Sequence, residues 1–302
     1  MAYAQGVNQT TYIKLEGVDG DLDPATPWQP LRLISNGLAQ TIEELESDER
    51  LPGRHMAESR RGAASVAGDL EAELTFGTFD MLLEAAFHGV WTGNTLETGD
   101  IRRSFSILKH NADIGRWTIY RGCEMSTVAI DCPLQGKIGI TFSVIGKREE
   151  VYTYDSLEES LGEPTDTVMM TTFEGDLLEG GTGLNHATAL NISLENGMEA
   201  IYALFSRDPY DVKLGRINLT GSLSAYIEDD RLKSKYLGET KTALVVTLTD
   251  GENSYRISMT QAKLTTSTEE GAGDDPIIQS YDLRAFNDPA LDTEITITRI
   301  AA

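Results

Sequence analysis

Residues that most often carry chemistry are scarce in this chain. Among 302 residues there are four histidines and two cysteines. Cys123 and Cys132 cannot build a disulfide framework and match no zinc spacing, so both are expected to stay reduced beneath or beside a sheet. His55, His88, His110 and His186 stand in no metal-ligand spacing, and no Gly-x-Ser-x-Gly elbow occurs; exposed or helix-end roles are expected for them. No acid–base pair can be named, so the chain is not read as an enzyme, and no metal site or cofactor is expected. Basic residues are few: 25 Lys and Arg stand against 48 Asp and Glu, a formal net charge of −23. That sign argues against a protein that wraps nucleic acid, because such binders neutralise phosphates with Lys and Arg. No apolar run is long enough to span a bilayer, and the N-terminus lacks a basic start followed by an apolar stretch, so cytosolic synthesis is expected. Trp28, Trp91 and Trp117 are scattered, which argues against a carbohydrate-binding β-sandwich with aromatic rings clustered on one face.

What the chain does contain is short alternating or β-branched runs at 31–35, 64–76, 104–108, 116–120, 125–130, 137–145, 189–194, 217–227, 243–248, 255–259 and 294–300. Many short strands between Gly, Asn and Asp clusters predict a mainly β protein of sandwich or barrel class. The best helix signal is 78–87, with Thr78 as cap, Phe79, Leu83 and Phe87 on one stripe, and Gly89 as stop.

The sequence also echoes itself. Residues 64–76 alternate around Gly68 and run into that helix; 217–227 alternate in the same phase around Gly221 and run into a second candidate, 231–237, with Asp230 as cap and Gly238 as stop. Residues 117–128 have the look of 254–264, and each is followed by a Gly-containing connection and another strand. The pattern predicts a tandem duplication: an arm at 1–30, β domains at 31–150 and 184–302, and a connector at 151–183 with one strand at 168–173. A charged loop at 46–62 holds Arg50, Arg54, Arg60 and Arg61 and is expected to be an interaction arm.

The central strands are two-faced. Val66, Leu70, Ala72 and Leu74 fall on one side of 64–76, with Asp69, Glu71 and Glu73 on the other. In 217–227, Ile217, Leu219, Leu223, Ala225 and Ile227 oppose Asn218, Ser222 and Ser224, with Glu228 following. Such strands belong to antiparallel sheets that cover a core on one side. Other motifs fail on inspection. Asp19, Asp21 and Asp23 open like a calcium loop, but the twelfth position is Pro30. Glu179-Gly-Gly-Thr-Gly183 is followed by the approach to a strand, so no helix dipole is available for a phosphate. The sequons at Asn8, Asn191 and Asn218 lack a secretory route.

In order, these pieces resemble the major tail tube proteins of long, non-contractile-tailed phages. The resemblance rests on Ser65-Val-Ala-Gly-Asp-Leu-Glu-Ala-Glu-Leu74, Phe79-Asp-Met-Leu-Leu-Glu-Ala-Ala-Phe87, Trp91, Arg103-Ser-Phe-Ser-Ile107 and Tyr120-Arg-Gly-Cys-Glu-Met-Ser126. It continues through Gly136–Lys147, Asp275-Pro-Ile-Ile-Gln-Ser-Tyr-Asp-Leu-Arg-Ala-Phe286 and Thr293-Glu-Ile-Thr-Ile-Thr-Arg299. It implies a tube-type β-sandwich or barrel with a short flanking helix. It further implies rings of this chain stacked into the virion's tail tube around a tape-measure protein, with tail terminator and distal tail proteins as further partners. Genomic DNA would pass through the lumen without specific binding, no membrane would be involved, and synthesis would be in the host cytoplasm. A terminator-like ring or secretion-tube component shares the fold class and is the alternative. The apparent second copy departs from the commonest pattern and implies three chains per ring where single-domain subunits use six. On this reading Asp69, Glu71, Glu73, Asn218, Ser222, Ser224 and Glu228 line the channel, where acids repel phosphate, and the four arginines of 46–62 touch a neighbouring subunit.

Overall fold

Residues that alternate apolar and polar, with Val, Ile and Thr among them, favour extended backbone with one buried face. Most of this chain follows that rule. The computed structural model describes residues 3–17, 22, 26–49, 58–152, 161–271 and 273–302. Its first half runs β1 (Gln9–Leu15), β2 (Gln29–Leu31), β3 (Ser35–Asn36), β4 (Ala39–Glu46), β5 (Ser59–Glu73), α1 (Asp80–Ala86), β6 (Thr95–Glu97), β7 (Phe105–Asn111), β8 (Arg116–Cys132), β9 (Gly139–Gly146) and β10 (Arg148–Tyr152). The second half runs β11 (Gly175–Glu179), β12 (Thr182–Gly183), β13 (Ala187–Glu195), β14 (Glu199–Ile201), β15 (Asp211–Lys213), β16 (Asn218–Tyr226), α2 (Arg231–Leu237), β17 (Thr242–Thr249), β18 (Ser254–Leu264), β19 (Thr268–Glu270), β20 (Ile278–Ala285) and β21 (Thr296–Ile300).

The fold is mainly β, with antiparallel ladders and two short helices, in a sandwich-type arrangement. One long inner sheet runs β3/β4–β5–β9–β8–β13–β16–β20–β19. Two outer sheets lie against it, β2–β1–β7–β8–β10 and β12–β11–β17–β18–β21–β6. The long strands β8 and β18 belong to both layers. The start of β8 pairs with β7 and β10, and its end pairs with β9 and β13. The start of β18 pairs with β17 and β21, and its end with β20.

The core lies between the layers and is shared by both halves. Leu70 of β5, Phe142 of β9, Ile192 of β13, Leu223 of β16 and Leu283 of β20 are buried in one cluster with Ile107 and Val246 of the outer strands. Each such side chain, fully buried, contributes about 1.5–3 kcal/mol. Trp28 closes a smaller cluster with Leu108, Trp117 and Ile119.

Several local expectations are revised. Thr78 does not cap α1: its hydroxyl pairs with Thr75 and Thr165, and Phe79 holds the N-cap without a side-chain bond. The left-handed residue after the helix is His88 (φ 50°), not Gly89. Gly89 is needed for another reason, since a Cβ there would lie 2.0 Å from the Glu97 carbonyl oxygen. α2 starts and stops on the expected residues, Asp230 at the N-cap and Gly238 at the C-cap, but Asp230 makes no side-chain cap bond: Asp229 accepts the Arg231 N–H, and the left-handed residue is Glu239 (φ 50°). The segment 168–173 makes isolated bridges at Met169 and Thr171, while β11 and β12 lie further along the connector. Residues 59–62, assigned to the charged loop, begin β5, and β1 lies within the arm 1–30. Ile227, placed on the apolar side, lies beyond β16 and is exposed.

Candidate functional site: the wet face of the inner sheet and its edges

On β5, Val66, Leu70 and Ala72 turn inward, while Asp69 and Glu71 are exposed and Glu73 is half-buried. Directly opposite residues of paired strands share a face, so the register carries this wet face across the sheet. One row runs Glu71, Thr141, Ala129, Ser193, Thr220, Arg284; the next runs Glu73, Gly139, Asp131, Asn191, Ser222, Asp282. Asn218, Ser222 and Ser224 therefore lie on the same face as the three acids. Glu228 lies beyond β16, where its carboxylate meets His186 at 3.2 Å. The face carries Asp69, Glu71, Glu73, Asp131, Glu195 and Asp282, against Lys263 and Arg284 at one margin. Short-range bonds hold the acids: Ser143 donates to Asp69 (2.6 Å), Ser35 to Glu71 (2.9 Å) and Lys137 to Glu73 (2.5 Å).

The two halves repeat each other in register. Val66↔Gly146, Gly68↔Val144 and Glu73↔Gly139 between β5 and β9 return as Leu219↔Ala285, Gly221↔Leu283 and Tyr226↔Ile278 between β16 and β20. The pairs Met125↔Val144 and Asp131↔Gly139 return as Leu264↔Leu283 and Glu270↔Ile278. Even the bulge between β7 and β8, flanked by Phe105↔Cys123 and Ile107↔Tyr120, returns at Thr242↔Ala262 and Leu244↔Met259. The echoing glycines have matching reasons. A Cβ on Gly68 would lie 2.4 Å from the Gly37 carbonyl oxygen, and one on Gly221 would lie 2.2 Å from that of Asn191. Each glycine lets the neighbouring strand approach closely.

Both halves also extend a two-stranded arm. In the first, Leu45↔Arg60 and Glu46↔Ser59 join β4 to the start of β5; in the second, Glu199↔Lys213 and Ala200↔Val212 join β14 to β15. Arg60 and Arg61 are exposed on the first arm, whereas Arg50, Arg54 and His55 lie outside the described residues, as do Asp19, Asp21 and Asp23. The second arm folds back onto the first half. Tyr202 donates to the Ala64 carbonyl (3.0 Å), and Ala64 N–H to that of Arg207 (2.9 Å). Asp211 meets Arg102 at 3.0 Å and Lys147 at 3.7 Å, and the Arg102 hydrogen bond holds its carboxyl below the usual range. Leu204 and Phe205 are left exposed at the tip. Sequence reasoning missed this arm; its signal was the run Tyr202-Ala-Leu-Phe205 outside any alternating strand.

His88 is buried, and burial lowers its pKa, opposed by the Ile101 carbonyl. His110 stacks on Trp117 with ring centroids 3.6 Å apart. Burial raises the pKa of both cysteine thiols. Among the described residues, no group of three or more His, Cys, Asp or Glu could hold a metal ion, and no helix is long and apolar enough to cross a membrane.

A family model described as phage tail tube protein matches residues 6–285. No curated protein matches the chain.

Proposed function

Because the chain belongs to the phage tail tube protein family, a structural component of the virion tail, we propose that three copies close into a ring and that rings stack into the tube. The observation that carries this reading is the repeated strand order, β4–β5–β9–β8 and then β13–β16–β20–β18/β19, joined edge to edge within one sheet through β8 and β13. The proposed duplicated units are 31–150 and 184–302. Each takes a strand from the segment before it, β1 from the arm and β11 from the connector. Counting β3 and β4 as one, the inner sheet has eight strands per chain, so three chains give about 24. At about 4.8 Å per strand the barrel circumference is then at least about 115 Å, wide enough for a channel once side chains are in place.

On this reading the wet face, with Asp69, Glu71, Glu73, Asn218, Ser222 and Ser224, lines the lumen. The tape-measure protein fills it first and genomic DNA passes later, repelled by the acids; terminator and distal tail proteins cap the stack. The first arm, built from the end of β4 and the start of β5, reaches a neighbouring subunit as the second arm reaches the first half of its own chain. Exposed Leu45 and Ile42 on β4 support that role. Electron microscopy with mass measurement of the purified chain should show rings or tubes with three copies per ring. Six copies per ring would sink the three-chain version, and a persistent monomer at high concentration would sink the tube reading. A variant with 47–58 replaced by a short Gly/Ser turn should fold yet grow tubes poorly.

A further inference from the structure

The two halves of one chain already form a junction of the kind a ring needs. At the end of β8, Thr127 to Cys132 pair antiparallel with Glu195 to Leu190 of β13. The internal repeat identifies the counterparts of both strands. Asn36↔Leu70 and Gln40↔Val66 correspond to Leu190↔Leu223 and Leu194↔Leu219, so β3 and β4 stand for β13. Ala129↔Thr141 and Asp131↔Gly139 correspond to Thr268↔Ser280 and Glu270↔Ile278, so 266–271 stands for 127–132.

In the single chain these counterparts are half-used. β4 pairs with β5 and β19 with β20, and among the described residues the other edge of each makes no ladder. The outward groups of 36–40 are held by side chains: Lys109 donates to the Asn36 and Leu38 carbonyls, Tyr120 to that of Leu38, and the Gln40 N–H donates to Glu149. Ring closure must exchange these bonds for the ladder. Burial differs on most of these residues: Val128, Ile130, Leu190, Ile192 and Leu194 are buried at the internal junction, whereas β19 is exposed throughout and β4 nearly so. Leu38, the counterpart of Ile192, is already buried in the core. Resting on the ring reading above, we infer that the ring closes by antiparallel pairing of 36–41 of one copy with 266–271 of the next, in the register of the internal junction. Leu38 then faces Glu269, Ala39 faces Thr268 and Thr41 faces Thr266.

Three physical points support this pairing. The outer edge of β19 is open, and an open strand edge is a template for another strand. The two edges are different surfaces of one chain, so the contact is head-to-tail, the kind that closes into rings. Glu269 stands where Ile130 stands in the first half, and it is already held by Lys233 (3.0 Å) and by the Gln279 amide (3.0 Å). A strand closing over it therefore covers a carboxylate whose charge is already paired with a lysine.

The test uses assembled protein carrying Ala39→Cys and Thr268→Cys, compared after mild oxidation with Ala39→Cys and Glu270→Cys and with the parent chain, whose Cys123 and Cys132 set the background. A disulfide needs Cα atoms roughly 4.4–6.8 Å apart, and a diagonal neighbour is about 7–8 Å away. Covalent dimers and trimers should form several-fold more in the first pair than in the second. Rings that form without that cross-link, or with the second pair preferred, overturn the edge assignment and leave the ring reading standing. Absence of rings from the parent chain overturns both. Amide exchange in the unmodified protein gives a second readout: 36–41 and 266–270 should slow on assembly, and unchanged rates overturn the pairing.

Discussion

Asp80, the first residue of α1, joins the two halves through its side chain. It accepts hydrogen bonds from the Tyr255 hydroxyl and the Arg299 guanidinium, the latter at 2.6 Å, and Arg299 also lies over the Trp91 ring, 4.0 Å from its centroid. Burial, then the Asp80 charge, raises the Tyr255 pKa, so the phenol remains a donor at neutral pH. Hydrogen bonds to charged groups contribute about 1.5–3 kcal/mol. Arg299→Ala is therefore expected to lose about that much stability in denaturant unfolding. Arg299→Lys should recover only part of it, because an ammonium cannot stack or bond as a planar fork. A loss no larger than that of a typical surface substitution would mean that the bond contributes little.

At the scale of elements, the second arm is held to the first half by charge. The folded Asp211 carboxyl lies below its ordinary value of 3.8, chiefly because Arg102 donates to it. A lowered acid contributes its full stabilisation above the unfolded value and loses it as pH falls through the folded one. Amide exchange across 202–211, corrected for intrinsic rates, should therefore accelerate below about pH 3.8. Asp211→Asn should show the faster exchange already at pH 7; equal rates would rule out this anchor. The arm was illegible in the sequence because its strands are short and its partners in the first half lie at least 63 residues away. Elements with clear alternation were legible: β5, β9, β16 and β20 fall close to where 64–76, 137–145, 217–227 and the strand after the second echo placed them. β4 was not, because nearly all of its residues are exposed in the single chain and no apolar stripe marks it. The stop of the first helix was misread for a related reason. Gly89 is fixed by the approach of the Glu97 backbone, a contact that no local rule contains.

For the whole molecule, the wet face makes the electrostatic reading testable. Changing Asp69, Glu71 and Glu73 together to Lys removes the Glu73–Lys137 ion pair, worth about 0.2–1 kcal/mol, and the exposed hydrogen bonds from Ser143 and Ser35, all on the wet face, so folding and tube formation should survive. Phosphate contacts in the channel would then retard DNA, and the delay in ejection should shrink as salt rises. Ejection at the parent rate, at every salt concentration, would place these side chains away from the path. The two halves are similar but not identical. Arg102 pairs with Glu124 in the first half, while in the second Lys263 holds the position of Glu124 and pairs with Glu239. A ring of three such chains alternates two kinds of surface, so turning it by one sixth of a revolution does not superimpose it on itself. Stacked rings then have a rotational phase, and each new ring must be seated in one of three settings, not six, for the tube to continue with constant twist.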